Sequence, residues 1–164
     1  MKADLEADFE SFVETSGDRF YRTAYAITRD RAHAEDVVQA ALASAYSRWK
    51  RLHDKRPEAY VRRMIVNEIL GWGRRRSAPV ATLEHPPLRR SDPDLVQTDA
   101  VWNALRELPV AQRALIVLRY YGGLSVAEVA DTFATRPEVV QAQTTAALFD
   151  LRRLITLARQ RART

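Results

Sequence analysis

Apolar residues recur at three- and four-residue steps over most of the chain, the spacing that gathers them on one face of an α-helix. Between residues 31 and 49 the stripe is Ala34, Val38, Ala41, Ala45 and Trp49. Between 57 and 76 it is Val61, Met64, Ile65, Ile69 and Trp72, entered through Pro57, a residue suited to a first helical turn. Leu115, Ile116 and Leu118 mark a helix within 110–121, stopped by Gly122–Gly123. Ser125 opens the next, with Glu128 three residues on as a capping box. The last runs from about Pro137 to Ala158, on Val140, Ala147, Leu151, Leu154 and Ala158. Nothing alternates in the manner of a strand pair. The pattern therefore predicts an all-α fold.

The periodicity breaks once, over 78–99. That segment holds four of the seven prolines (Pro79, Pro86, Pro87 and Pro93) and no sustained apolar period. It reads as a flexible linker between two small helical domains, 1–77 and 100–164.

Charge sharpens this division. Over the 164 residues, 26 Lys+Arg stand against 21 Asp+Glu, for a net charge of +5. The excess is local: the balance is −4 over 1–46, +7 over 47–77, −2 over 78–99 and +4 over 100–164. Only Lys2, Lys50 and Lys55 are lysines, the other basic residues being arginine. Arginine suits bidentate phosphate and base-edge contacts, although a GC-rich genome choosing Arg codons gives the same bias. A concentrated basic block fits a polyanion partner better than the total does.

Enzyme chemistry finds little footing. The absence of cysteine removes disulfides, thiolate catalysis and Cys-ligated metal sites. His33, His53 and His85 lie in three separate segments, with neither a His-x-x-x-His spacing nor a Gly-rich phosphate loop. Neither a catalytic residue nor a metal or cofactor is expected. The first twenty residues are acidic and polar, unlike a secretory leader, and no apolar run approaches a membrane span. A soluble, cytoplasmic protein without membrane insertion is the expectation.

Nucleic-acid binding fits better. The segments SVAEVADTF (125–133) and PEVVQAQTTAAL (137–148) are joined by the short turn Ala134–Thr135–Arg136. Ala130 would allow a close crossing, with Val129, Phe133 and Val140 filling the interface. In a helix-turn-helix the second helix leads into the major groove, although any tight helical hairpin has this spacing. Arg63, Asn67 and Arg74 share a narrow arc largely opposite the apolar stripe of 57–76. Before it, Trp49, Lys50, Arg51 and Lys55 interleave an aromatic with cations, a mixture suited to single strands whose bases stack or flip out. The alternative is a solvated basic face with Trp49 and Trp72 in the core.

Three motifs, in order, resemble a known family: AEDVVQAAL (34–42), AYVRRMIVNEILGWGRRR (59–76) and LPVAQRALIVLRYYGGLSVAEVA (108–130). They are similar to bacterial RNA polymerase sigma factors of the extracytoplasmic-function type, in motif order to the actinobacterial short branch. The resemblance implies sigma region two at 1–77, a linker at 78–99 and sigma region four at 100–164. It implies a promoter-specificity subunit, not an enzyme, which binds core RNA polymerase and helps to melt the −10 element. Asp36, Val38, Gln39 and Leu42 match the surface that docks on the β′ clamp helices. The stretch from Trp49 to Pro57, with Lys50 and Arg51, matches the loop that captures a flipped −10 base. Arg62, Arg63 and Asn67 match positions that hold the melted strand, and Arg74, Arg75 and Arg76 would hold duplex phosphates. Region four would sit on the β flap and read the −35 element through Arg136, Glu138, Gln141, Ala142, Gln143 and Thr145. An anti-sigma factor is a further implied partner.

One stretch departs from the family. The second helix of its helix-turn-helix usually opens on a Gly-Thr-Val-Lys-Ser-Arg-like run, whereas here Glu138 to Gln143 carry no cation and the turn glycine is Ala134. Phosphate neutralisation supplies much of DNA affinity, so weaker −35 binding is expected. Gln141 and Gln143 could still pair with adenine edges. A sigma-like interaction protein that binds polymerase or a regulator, without strong −35 readout, is the alternative.

Overall fold

The computed structural model describes residues 2–76 and 100–164, with only the backbone of 72–76. The segment 77–99, including the expected linker, and the side chains of Trp72, Arg74, Arg75 and Arg76 lie outside the described residues. All regular structure among the described residues is helical. We number the helices α1 (Lys2–Thr28), α2 (Arg31–Ser47), α3 (Trp49–Leu52), α4 (Pro57–Arg76), α5 (Ala100–Glu107), α6 (Val110–Ile116), α7 (Val126–Phe133) and α8 (Pro137–Arg161).

The first bundle is α1, α2 and α4, with α3 as a one-turn corner. Arg29 ends α1 in the left-handed region (φ 55°), and the Asp30 side chain accepts the His33 N–H at 3.0 Å to cap α2. The stripe expected for α2 is buried throughout, as are Val61, Ile65 and Ile69 of α4. Ser16 and Arg19 of α1 both donate to the Glu58 carboxylate at 3.0 Å, tying α1 to the start of α4.

The second bundle packs α5 and α6 against α8, with Ala104, Leu105, Leu108, Ile116, Ala147 and Leu151 between them. Beyond Ile116 the chain widens into a π-helical turn, Val117–Tyr121, closed by Gly122 N–H donating to Val117 O at 2.8 Å. A Cβ on Gly122 would meet Leu118 O at 3.0 Å, and Gly123 has φ 67°, so the glycine pair expected as a stop is demanded by close approach and by handedness.

The two bundles do not stand apart. Ala114 and Val117 of the second complete the core of the first, beside Phe20, Ile27, Val61 and Ile65. Val66 of α4 lies in a cluster with Leu115, Leu118, Val129, Ala130 and Val140. The Arg113 guanidinium donates to Leu105 O (2.8 Å), Arg106 O (3.1 Å) and Leu108 O (3.0 Å), and across the interface to Ile27 O (2.6 Å). Burial pushes its pKa down, and the charges of Arg29 and Arg106 add to that. The Arg29 guanidinium lies over Tyr25 and, across the interface, over Trp102, 5.2 and 5.0 Å from the ring centroids.

Candidate nucleic-acid interface

The α3–α4 corner presents exposed cations on a rigid base. Trp49, expected among the DNA-contacting residues, is only 5% exposed. Its ring packs on Phe9 and Phe12 (centroids 5.1 and 5.0 Å), and its Nε1 donates to Asp8 at 3.2 Å. Trp49 is a wedge between α1 and α3, a correction with a simple cause: the acidic α1 carries Phe9 and Phe12 on its inner face, and these need an aromatic lid. Lys50 and Arg51 are left exposed, followed by the exposed turn 53–56. Arg48 Nη1 donates to Ser44 Oγ (3.0 Å) and Tyr60 Oη (3.1 Å), fixing the corner to α4. Ser47, Arg48, Lys50 and Arg51 line an open concavity there.

Along α4, Asn67 is exposed, and Arg62 and Arg63 are half-buried. Arg63 does not face open solvent as its arc predicts. Its Nη2 pairs with Asp131 of α7 at 3.0 Å, while its Nε is buried without a hydrogen-bond partner. Glu128 of α7 has its pKa held low, first by hydrogen bonds from Ser125 and then by the charges of Arg62 and Arg56. An acidic edge of α7 thus lies on the basic side of α4.

The helix-turn-helix forms as its pattern implies. Ser125 Oγ accepts the Glu128 N–H at 3.1 Å and Glu128 accepts the Ser125 N–H at 3.3 Å, a complete capping box. Val129, Ala130 and Val140 are buried between α7 and α8. Ala134 occupies the turn at φ 52°, ψ 48°, the left-handed cap that glycine fills at less cost. Ser125→Ala is expected to lower stability by about 1 kcal/mol in urea denaturation. Glu128→Gln removes the charge-dependent share. Because the folded pKa lies below the ordinary value, that share is present above the carboxylate range and lost as pH falls through it. The difference from the unsubstituted protein should therefore vanish in acid; a gap constant with pH would contradict it.

At the start of α8, Arg136, Glu138, Gln141, Ala142, Gln143 and Thr145 are all exposed on the outer side. Thr145 returns its hydroxyl to Gln141 O at 2.9 Å. Arg136 is the one cation of this group; Arg152 and Arg153 follow two turns later, beyond the 68%-exposed Phe149.

On α2, Asp36 and Gln39 are exposed, and Leu42 is half-buried against the core. Val38, expected on the docking surface, is 6% exposed and belongs to the core, because it falls on the stripe that meets α1 and α4. The expected site residues that the structure leaves exposed are thus Asp36 and Gln39 on α2, Lys50 and Arg51 on α3, Asn67 midway along α4, and the group at the start of α8. Sequence reasoning missed the pairing of α7 with α4. The signal was present in Val66 and Leu70, apolar positions of α4 off the first stripe.

Known proteins resemble this chain in sequence and in fold. Residues 12–78 match the family model for sigma-70 region 2, and residues 98–148 that for sigma-70 region 4. An RNA polymerase sigma-E factor of Streptomyces coelicolor is 31% identical over 149 residues, covering 88% of this chain and 84% of that protein. The sigma-E factor of Streptomyces antibioticus is 33% identical over the same length, covering 88% and 83%. The ECF RNA polymerase sigma factor SigM of Mycobacterium tuberculosis is 29% identical over 150 residues, covering 90% and 76%. In fold, the sigma factor RpoE of Bartonella quintana, solved with the anti-sigma factor NepR, superposes with a TM-score of 0.69 at 20% identity, over 91% of this chain and 97% of that one. CnrH, solved with the cytosolic domain of CnrY, gives 0.66 at 22% identity, over 91% and 88%.

Proposed function

The chain belongs to the RNA polymerase sigma factors of the extracytoplasmic-function type, and from that premise we propose how its surfaces divide the work of promoter recognition. As a sigma factor it binds core RNA polymerase and promoter DNA to start transcription. Residues 1–77 act as region two, 78–99 as the linker and 100–164 as region four. The observation that carries the −10 assignment is the pair of exposed cations Lys50 and Arg51 on a corner locked by Trp49 and Arg48, followed farther along α4 by exposed Asn67. Single-strand capture calls for cations that can track the backbone, and this corner leaves two of them exposed on a packed base. Arg62 and Arg63 flank it, and Arg74, Arg75 and Arg76 continue the same helix toward the duplex. Asp36 and Gln39 dock on the β′ clamp helices, where a short acidic and amide patch suits a basic coiled coil. The chain performs no bond chemistry, acts in the cytoplasm with its polymerase, and is held in check by an anti-sigma factor.

Sequencing the transcripts made by core polymerase with this protein tests the reading; their upstream regions should share a two-part element. On the strongest such promoter, Asn67→Ala should lose about 1–3 kcal/mol of discrimination at one −10 base, as for a lost base-edge pair. A uniform loss over all bases would reduce Asn67 to a backbone contact.

The uncharged start of α8 favours a second reading for region four, in which −35 readout is weak and the helix serves protein contacts. On that promoter duplex the full chain should show a shallow salt dependence. Gln141→Lys with Gln143→Arg should steepen it by about one to two units on a log–log plot, because the slope counts phosphates neutralised. A steep slope before substitution would mean that Arg136, Arg152 and Arg153 already carry the phosphates.

A further inference from the structure

Three arginines converge where the end of α1 meets α5 and α6. The Arg113 fork joins Ile27 O (2.6 Å) to Arg106 O (3.1 Å), and the side chains of Arg29 and Arg106 come within each other's field. Their roles differ. Arg113 is taken up by the carbonyls of two helix ends, whose partial negative charge it balances. Among the described residues Arg29 and Arg106 pair with no carboxylate, and neither guanidinium donates a hydrogen bond to the protein. Burial pushes the Arg29 pKa down, and the charge of Arg106 does so too. Arg29 also bears left-handed backbone (φ 55°), a costly conformation for a residue with a Cβ. Its guanidinium lies over Tyr25 and Trp102, 5.2 and 5.0 Å from the centroids, so the rings hold it while its nitrogens stay open to solvent. Beside it the π-helical turn puts Tyr121 against Trp102 at 5.5 Å, edge to face, and leaves Tyr121 54% exposed.

We propose that Arg29 and Arg106 form a binding site for the terminal phosphate of a free nucleoside diphosphate, with its base stacked on Tyr121. The chemistry of the cluster selects this ligand. Two like charges held side by side without a carboxylate call for an anion, and a guanidinium fixed by aromatic rings offers its planar fork for a bidentate phosphate contact. A terminal phosphate carries nearly two negative charges at neutral pH and so matches both arginines. A diester inside a strand carries only one. An exposed tyrosine next to the cations supplies a stacking face that inorganic phosphate cannot use. Arg29 belongs to the first bundle and Trp102, Arg106 and Tyr121 to the second, so a bound nucleotide touches both and stabilises the folded chain by mass action. None of these residues is among those assigned above to DNA or polymerase. The site would let this sigma factor respond to a nucleotide pool.

Isothermal titration of the full chain with magnesium-free ADP and GDP tests this. At least one should bind saturably with a Kd below about 1 mM and raise the melting temperature. Arg29→Gln and Arg106→Gln should each weaken binding about tenfold or more, as for a lost charge-assisted contact. Lys55→Gln, which removes equal charge from the exposed turn after α3, should change it by less than about twofold. Arg106→Gln leaves the left-handed residue in place, so it decides the matter even where circular dichroism shows Arg29→Gln to be misfolded. Tyr121→Ala should weaken the nucleotide about fivefold or more while leaving pyrophosphate, the weaker ligand, unchanged. A random single-stranded 20-mer should not displace the nucleotide. The proposal is overturned by absence of saturable binding, by arginine variants that bind like their parent, or by displacement by the 20-mer. It is equally overturned if pyrophosphate binds as tightly as the nucleotide, or if Tyr121→Ala leaves nucleotide affinity intact or weakens both ligands alike.

Discussion

Arg113→Met is expected to destabilise the protein by about 3 kcal/mol, because the variant keeps the aliphatic stem and removes the donors of several buried carbonyls. Those carbonyls are not interchangeable. Leu105 O and Arg106 O belong to the last turn of α5 and Ile27 O to the last turn of α1, so two helix C-termini aim carbonyl acceptors at one cation. A planar fork can serve both ends at once. Arg113→Lys should therefore recover only a minor part of the loss, since an ammonium is a point charge that cannot span the two termini. Urea denaturation followed by circular dichroism measures this. A methionine variant within about 1 kcal/mol of the parent would mean that water replaces the guanidinium at these carbonyls.

Trp49→Ala should cost roughly 3–5 kcal/mol, the range for emptying a large aromatic site in a packed core. The loss should appear as unfolding of the α1–α3 corner, with weaker DNA binding only as its consequence. Trp49→Phe should retain most of the packing on Phe9 and Phe12 and forfeit about 1 kcal/mol with the Asp8 hydrogen bond. Lys50→Ala and Arg51→Ala, exposed on the same short helix, should leave stability within about 0.5 kcal/mol and weaken promoter opening. A Trp49→Ala protein that melts like its parent yet fails to open promoters would return Trp49 to the DNA surface.

These two residues also mark where the sequence was legible. The stripes of α2 and α4, the Gly122–Gly123 stop, the Ser125–Glu128 box and the turn at Ala134 all express local rules, and each could be found from spacing alone. Trp49 was ambiguous because an aromatic among cations fits a core lid and a base platform equally well; α1, which settles it, has a polar and acidic composition that hid its inner Phe9 and Phe12. Arg113 was passed over because nothing local distinguishes a helical arginine at the surface from one turned inward to two helix ends. Val38 was misplaced because the docking motif and the buried stripe overlap on α2, and periodicity should have decided for the core. The contact of α7 with α4 joins residues more than sixty positions apart in sequence, such as Arg63 and Asp131. No window-based pattern reaches that far, although a helix with apolar residues on two faces asks for two neighbours.

The second apolar face of α4 also bears on synthesis at the ribosome. Translation proceeds from the N-terminus, so the first bundle can assemble while the residues that cover Val66 are still unmade. About 64 further residues separate the end of α4 from Val140, which at roughly 5–20 residues per second is a delay of roughly 3–13 seconds. During that interval the nascent chain displays an uncovered hydrophobic strip beside a block of arginines. Such a strip is a binding site for chaperones and a seed for association between neighbouring nascent chains, and it disappears once the C-terminal half is made and docks.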